Sequence, residues 1–237
     1  MEIASVGDSA LIVRVRDRFE DVPEETLKDV LDVFRRLENA RIPGVIELAP
    51  AYTTVAVFFD PVRVINDTVE PNRATECLTQ KIREALTRGK RKQRKQAAAP
   101  AIEIPVCYEP EFALDLDHVA DHARISPNEV VDLHSTAHYL VNCLGFTPGF
   151  PYLTGLPKKL TTPRRATPRK EIPAGSVAIG GAQTGIYPQM SPGGWNVIGR
   201  TPLRLFDPQK DPPVLLRAGD HVRFRAITRK EFESLKA

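Results

Sequence analysis

Ten of the chain's fourteen glycines fall between Gly145 and Gly199. Prolines interrupt the same region. Proline removes a backbone donor and glycine costs the most entropy to order, so a long helix is excluded there. What remains are short apolar pieces, "GSVAIGG", "NVIGRTPLRLFD", "PVLLRAG" and "DHVRFRAI", set off by tight turns. Frequent short strands with this punctuation predict a β-barrel or sandwich for the second half. "AIEIPVCY" and "AHYLVNCLGF" add two apolar strands on either side of two short helices, "DLDHVADHA" and "SPNEVVDLHST". In the second helix Ser126 is the N-cap, Pro127 sits at N1 and Glu129 at N3, a capping-box arrangement.

The first half has a different texture. "ALIVRV" reads as a strand after a Gly-Asp turn, and "VIELAP" and "TTVAVFFD" as two more. "PEETLKDVLDVFRRLENA" places Leu27, Val30, Leu31, Phe34 and Leu37 at helical spacing, with acids early and arginines late. "NRATECLTQKIREALTRG" repeats the helical spacing through Leu78 and Ile82, with Gly89 as its C-cap. The composition then shifts at "RGKRKQRK" and "QAAAP". That shift predicts a boundary between residues 1–96, a small α/β subdomain, and residues 97–237, a barrel, so the fold class is α+β.

The net charge of +3 comes from Arg88–Lys95, which holds six basic residues and no acid. Without that run the chain has 27 basic and 30 acidic residues. Nucleic-acid binders spread basic charge over a face and interleave aromatics, so no nucleic-acid partner is expected. Nothing approaches the roughly 20 apolar residues of a membrane span, and no secretory signal is legible. Cys77, Cys107 and Cys143 are odd in number and widely spaced, which suits reduced thiols. The expected location is cytoplasmic. "NDT" at Asn66 matches a glycosylation sequon, which has no use in that compartment.

Among chemistry-bearing motifs, "GGAQTG" (Gly180–Gly185) has neither Walker A spacing nor its Lys-Ser/Thr, and no H-E-x-x-H, C-x-x-C or G-x-S-x-G is present. No metal site is expected. His118/His122 and His134/His138 have i, i+4 spacing, but nothing supports either pair as metal ligands, and His118/His122 reads as an exposed helix face. His134 ends a well-capped helix, where the dipole favours a charged imidazole. It is open whether it belongs to a site or only hydrogen-bonds at the helix end. Arg164, Arg165 and Arg169 are carried on a proline-stiffened segment, suited to bidentate recognition of carboxylate or phosphate or to pairing with the protein's own acids. Gln183, Tyr187, Gly193, Gly194 and Trp195 suit a small polar ligand site or an ordinary barrel corner.

The blocks "PGFPYL", "PRRATPR", "IPAGSVAI", "GIYP" and "SPGGWNVIGRTP" occur in order over some sixty residues. They resemble the signature of the family of 5-oxoprolinase B subunits, which includes allophanate hydrolase subunit 1 and Kip-type sporulation kinase inhibitors. "GDSALIVRV", "IPVCY", "DLH" and "GDHVRFRAI" extend the resemblance over nearly the whole chain. "YEPEFALD" departs from it, where many relatives carry a glycine turn. The resemblance implies a cyclophilin-like barrel after the α/β subdomain. It implies one subunit of an ATP-dependent lactam hydrolase, inactive alone, that opens 5-oxoproline to glutamate. A homologous C-type subunit and an A-type subunit would be its partners, and ATP, with magnesium, would be shared with the partner. The family's other branches inhibit a sensor histidine kinase or serve urea metabolism as carboxyltransferase and allophanate hydrolase subunits. The matching positions imply a cleft around Pro148, Gly149, Arg164, Arg169, Gln183, Tyr187, Gly193 and Gly194, with His134 and Arg165 as the catalytic candidates.

Overall fold

The computed structural model describes residues 1–18, 23–65, 73–87 and 100–236. Arg88–Lys95, Asn66 and Gly89 lie outside them. The chain divides into two compact units, Met1–Ala97 and Ala98–Ala237.

In the first unit β1 (Glu2–Val6), β2 (Ala10–Arg14), β3 (Val45–Ala51) and β4 (Thr54–Phe59) form an antiparallel sheet in the order β1-β2-β4-β3. α1 (Pro23–Ala40), the single turn α2 (Pro61–Val64) and α3 (Ala74–Thr87) complete it. Alternation along β2 and β4 sends Leu11, Val13, Val55, Val57 and Phe59 into a core shared with Val30 and Leu37 of α1 and Leu78 and Ile82 of α3. β1 is not foreseen from sequence because its pattern is almost wholly exposed and carries no burial signal.

Seven strands build the second unit: β5 (Ile102–Cys107), β6 (Tyr139–Leu144), β7 (Pro151–Thr154), β9 (Ser176–Gly180), β10 (Gln183–Ile186), β12 (Asn196–Arg200) and β13 (His221–Ile227). They close into a barrel in the order β10-β7-β6-β13-β5-β12-β9. β13 runs parallel to β5 and every other pair is antiparallel. β8 (Arg169–Ile172) and β11 (Ser191–Gly193) form a separate two-stranded ribbon. α4 (Leu116–Ala123), α5 (Pro127–Thr136) and α6 (Arg229–Leu235) complete the unit. Ile104, Val106, Val141, Leu153, Ile179 and Phe224 of the barrel share one core with Val119, Ala120 and Val130 of the two middle helices.

Two expectations are corrected. "NVIGRTPLRLFD" leaves the strand conformation after Arg200, where Thr201-Pro202 interrupts the ladder. "PVLLRAG" makes only an isolated bridge, Val214 to Phe206. The proline- and glycine-rich stretch before Lys170 contains a barrel strand, β7, and runs into the ribbon strand β8. Closure of the barrel supplies partners that local composition does not announce. The capping box of α5 is present in full: Ser126 Oγ accepts from the Glu129 N–H at 3.2 Å, and Glu129 accepts from the Ser126 N–H at 2.8 Å.

Candidate active site

Asp115 organises the site. It stands at the N-cap of α4, yet its carboxylate makes no capping bond to that helix. Its side chain is buried and accepts four hydrogen bonds, the full capacity of a carboxylate. Oδ1 accepts from Arg165 Nη1 at 2.5 Å and Arg169 Nη2 at 2.8 Å. Oδ2 accepts from Arg169 Nη1 at 2.6 Å and the Val197 N–H at 2.8 Å. Arg169 thus grips it bidentately and Arg165 shares it.

This clamp holds the arginine segment along its length. Thr162 forms a bridge with Gly181. The Pro163 carbonyl accepts from Asn196 Nδ2 at 2.9 Å, and the Arg165 N–H donates to the Gly194 carbonyl at 2.8 Å. Arg169 then enters β8, with Gly193 as its register partner on β11. Two of the three expected arginines therefore meet one of the protein's own acids. Arg164 differs: it is exposed, its guanidinium lies 5.8 Å from the centre of the Trp195 ring, and it has no carboxylate partner among the described residues. Cation–π contact orients such a group without cancelling its charge.

Beside it lies an aromatic cluster of Phe150, Tyr152, Tyr187 and Trp195. Trp195 lies over Gly180, where a Cβ would come within 2.4 Å of the indole. Tyr187 accepts from the Trp195 backbone N–H, and burial pushes its phenol pKa up. A Cβ on Gly193 would strike that hydroxyl at 2.2 Å, so glycine is required there by contact. Gly149 (φ +81°) packs on Leu205 and Phe206. Pro148 is exposed and Gln183 is half-buried at the start of β10. Phe146, with φ +68°, is 60% exposed and stands edge-on to Phe150 and Tyr187.

His134 is elsewhere. It is fully buried and stacked on Phe224, with ring centres 4.5 Å apart. Its bonds define its tautomer. The Thr184 hydroxyl gives its only hydrogen to the Ala178 carbonyl at 3.0 Å, so it accepts from His134 Nε2–H at 3.1 Å. Nδ1 is then an acceptor and takes the Tyr108 O–H at 2.8 Å. Burial lowers its pKa to about 3, so the charged imidazole expected at this helix end is corrected to a neutral one: desolvation outweighs the dipole. With both nitrogens engaged inside the barrel, His134 ties Tyr108, just past the end of β5, to Thr184 of β10.

The pair expected to be a plain helix face lies near the arginines. His118 and His122, one turn apart on α4, line an open cleft of about 550 Å³ together with Pro163, Arg164, Arg165, Ala166 and Thr167. Asp115 and this cleft are what the motifs do not announce. Asp115 carries a local signal, as the acid before "LDHVADHA", but its arginine partners lie 50 and 54 residues away.

The closed barrel and the α/β unit are of carboxyltransferase-like fold. The chain is similar to the crystal structure of TTHA0988, with a TM-score of 0.74 and 35% identity over 92% of this chain, which spans 40% of that longer one. The chain belongs to the family described as carboxyltransferase domain, subdomain C and D, whose model matches residues 1–216. It is 41% identical to the B subunit of 5-oxoprolinase from Bacillus subtilis over 236 residues, covering 99% of this chain and 96% of that one. Against the B subunit of 5-oxoprolinase from Escherichia coli O157:H7 it is 41% identical over 221 residues, covering 92% and 93%.

Proposed function

We propose that this chain is the B-type subunit of a 5-oxoprolinase, working in a complex that opens 5-oxoproline to glutamate at the expense of ATP, and inactive alone. The observation that carries the reading is the 41% identity with the Bacillus subtilis protein over nearly the full length of both chains. A homologous C-type subunit and an A-type subunit complete the complex.

The residue types suit the task. A lactam is a poor electrophile, and ATP supplies the means to turn its oxygen into a leaving group. What this chain contributes is positioning and charge. Arg164, held against Trp195 and unpaired with any acid among the described residues, is the group best placed to meet an anionic substrate or phosphate. Arg165 and Arg169 hold the strap through Asp115 and act as positioning residues. His134, neutral and doubly hydrogen-bonded, holds the barrel rather than moving a proton. The cleft cations fit the phosphate end of a nucleotide. Magnesium would arrive with that nucleotide and be shared with the partner.

The test is glutamate formation from 5-oxoproline and ATP by the reconstituted complex, with and without this chain. Activity is expected only when it is present. Undiminished activity without it would end the proposal.

A further inference from the structure

We propose that the cleft between α4 and the Pro163–Thr167 strap is a phosphoryl-anion site, with His118 and His122 as one wall and Arg164 and Arg165 as the other. This deepens the reading above, in that it rests on the strap facing a ligand.

Three observations carry it. First, the cleft of about 550 Å³ is lined by two imidazoles, two guanidiniums, Thr167 and two non-polar residues, and by no acid. Asp117 and Asp121, the exposed acids of α4, lie outside its lining. Second, the charge does not balance. Arg165 and Arg169 share the single carboxylate of Asp115, which leaves one positive charge over, and Arg164 adds another. A surplus of two suits a dianion. Third, the donors approach from two sides. A carboxylate has two coplanar oxygens, which a single guanidinium fork engages together, as Arg169 does those of Asp115. Donors on facing walls suit a tetrahedral group with three outward oxygens. His118 and His122, one helical turn apart on α4, line the cleft from the same helix.

The source of the group is free phosphate or the terminal phosphate of a nucleotide, and the test separates them. Inorganic phosphate and ATP are titrated separately into the full chain. Binding is followed by calorimetry and by the imidazole signals of the five histidines in a proton NMR spectrum. Two imidazoles are expected to shift, and those two signals are expected to vanish in His118→Gln/His122→Gln. Arg164→Gln and the double histidine variant are each expected to weaken binding about tenfold or more, as loss of a charge-assisted bond does, with the thermal midpoint nearly unchanged. ATP binding more tightly than phosphate with the same variant losses assigns the site to nucleotide, and equal affinities assign it to free phosphate. Either supports the proposal. No imidazole shift with phosphate at tens of millimolar and with saturating ATP, affinities untouched by the variants, or equal displacement by 5-oxoproline or glutamate would overturn it. The readout is binding to the chain alone, so it is independent of turnover. Absence of phosphate and ATP binding at the cleft of the parent chain with turnover intact refutes only the site, and intact binding without 5-oxoprolinase activity refutes only the function.

Discussion

His134 shows how one residue changes meaning between sequence and structure. Its place at the end of α5 suggests a charged, reactive imidazole. Its surroundings make it a neutral linker between Tyr108 and Thr184. This has a pH signature. Its folded pKa of about 3 lies below the ordinary 6.5, so between those values the unfolded chain binds more protons than the folded one. The contribution to stability is complete above about pH 6.5, shrinks by up to about 1.4 kcal/mol per unit as pH falls, and levels off near pH 3. His134→Phe keeps a ring to stack on Phe224 but strands the Tyr108 hydroxyl. It is expected to lose about 1–3 kcal/mol at neutral pH and to flatten the acid limb. Denaturant midpoints across pH measure both, and an unchanged acid slope in the variant would contradict the assignment.

At the scale of elements, the features legible in the sequence are the local ones. The capping box of α5 needs only residues Ser126 to Glu129, and the periodicity of α1 needs only itself. Thr228 and Glu231 carry a similar capping signal for α6, which is easily passed over, and the Thr228 hydroxyl accepts the Glu231 N–H at 3.3 Å. β7, β8, β10 and β11 are short, and only pairing with distant segments makes them strands. The arginine strap is legible as rigid, but its anchor is not, because a buried carboxylate declares its partners only in three dimensions. Asp115→Ala leaves two guanidiniums facing each other and the Val197 N–H without its acceptor. It is expected to cost about 3–5 kcal/mol. Arg164→Gln touches none of these bonds and is expected to cost at most about 1 kcal/mol. Urea unfolding of the two variants checks the division. Equal losses would mean that Arg164 also anchors the strap.

At the scale of the molecule, the family match runs through both units, residues 1–216, so the α/β unit belongs to the working protein as much as the barrel does. No helix among the described residues is long and apolar enough to cross a membrane. The central claim is that the strap of this chain offers Arg164 to the reaction of the assembled enzyme. Glutamate release by the complex reconstituted with Arg164→Gln tests it most directly. The complex is expected to assemble as the parent does and to turn over about a hundredfold more slowly, the loss that removal of one charge-stabilising donor brings. Turnover at the parent rate in the assembled variant would contradict the claim.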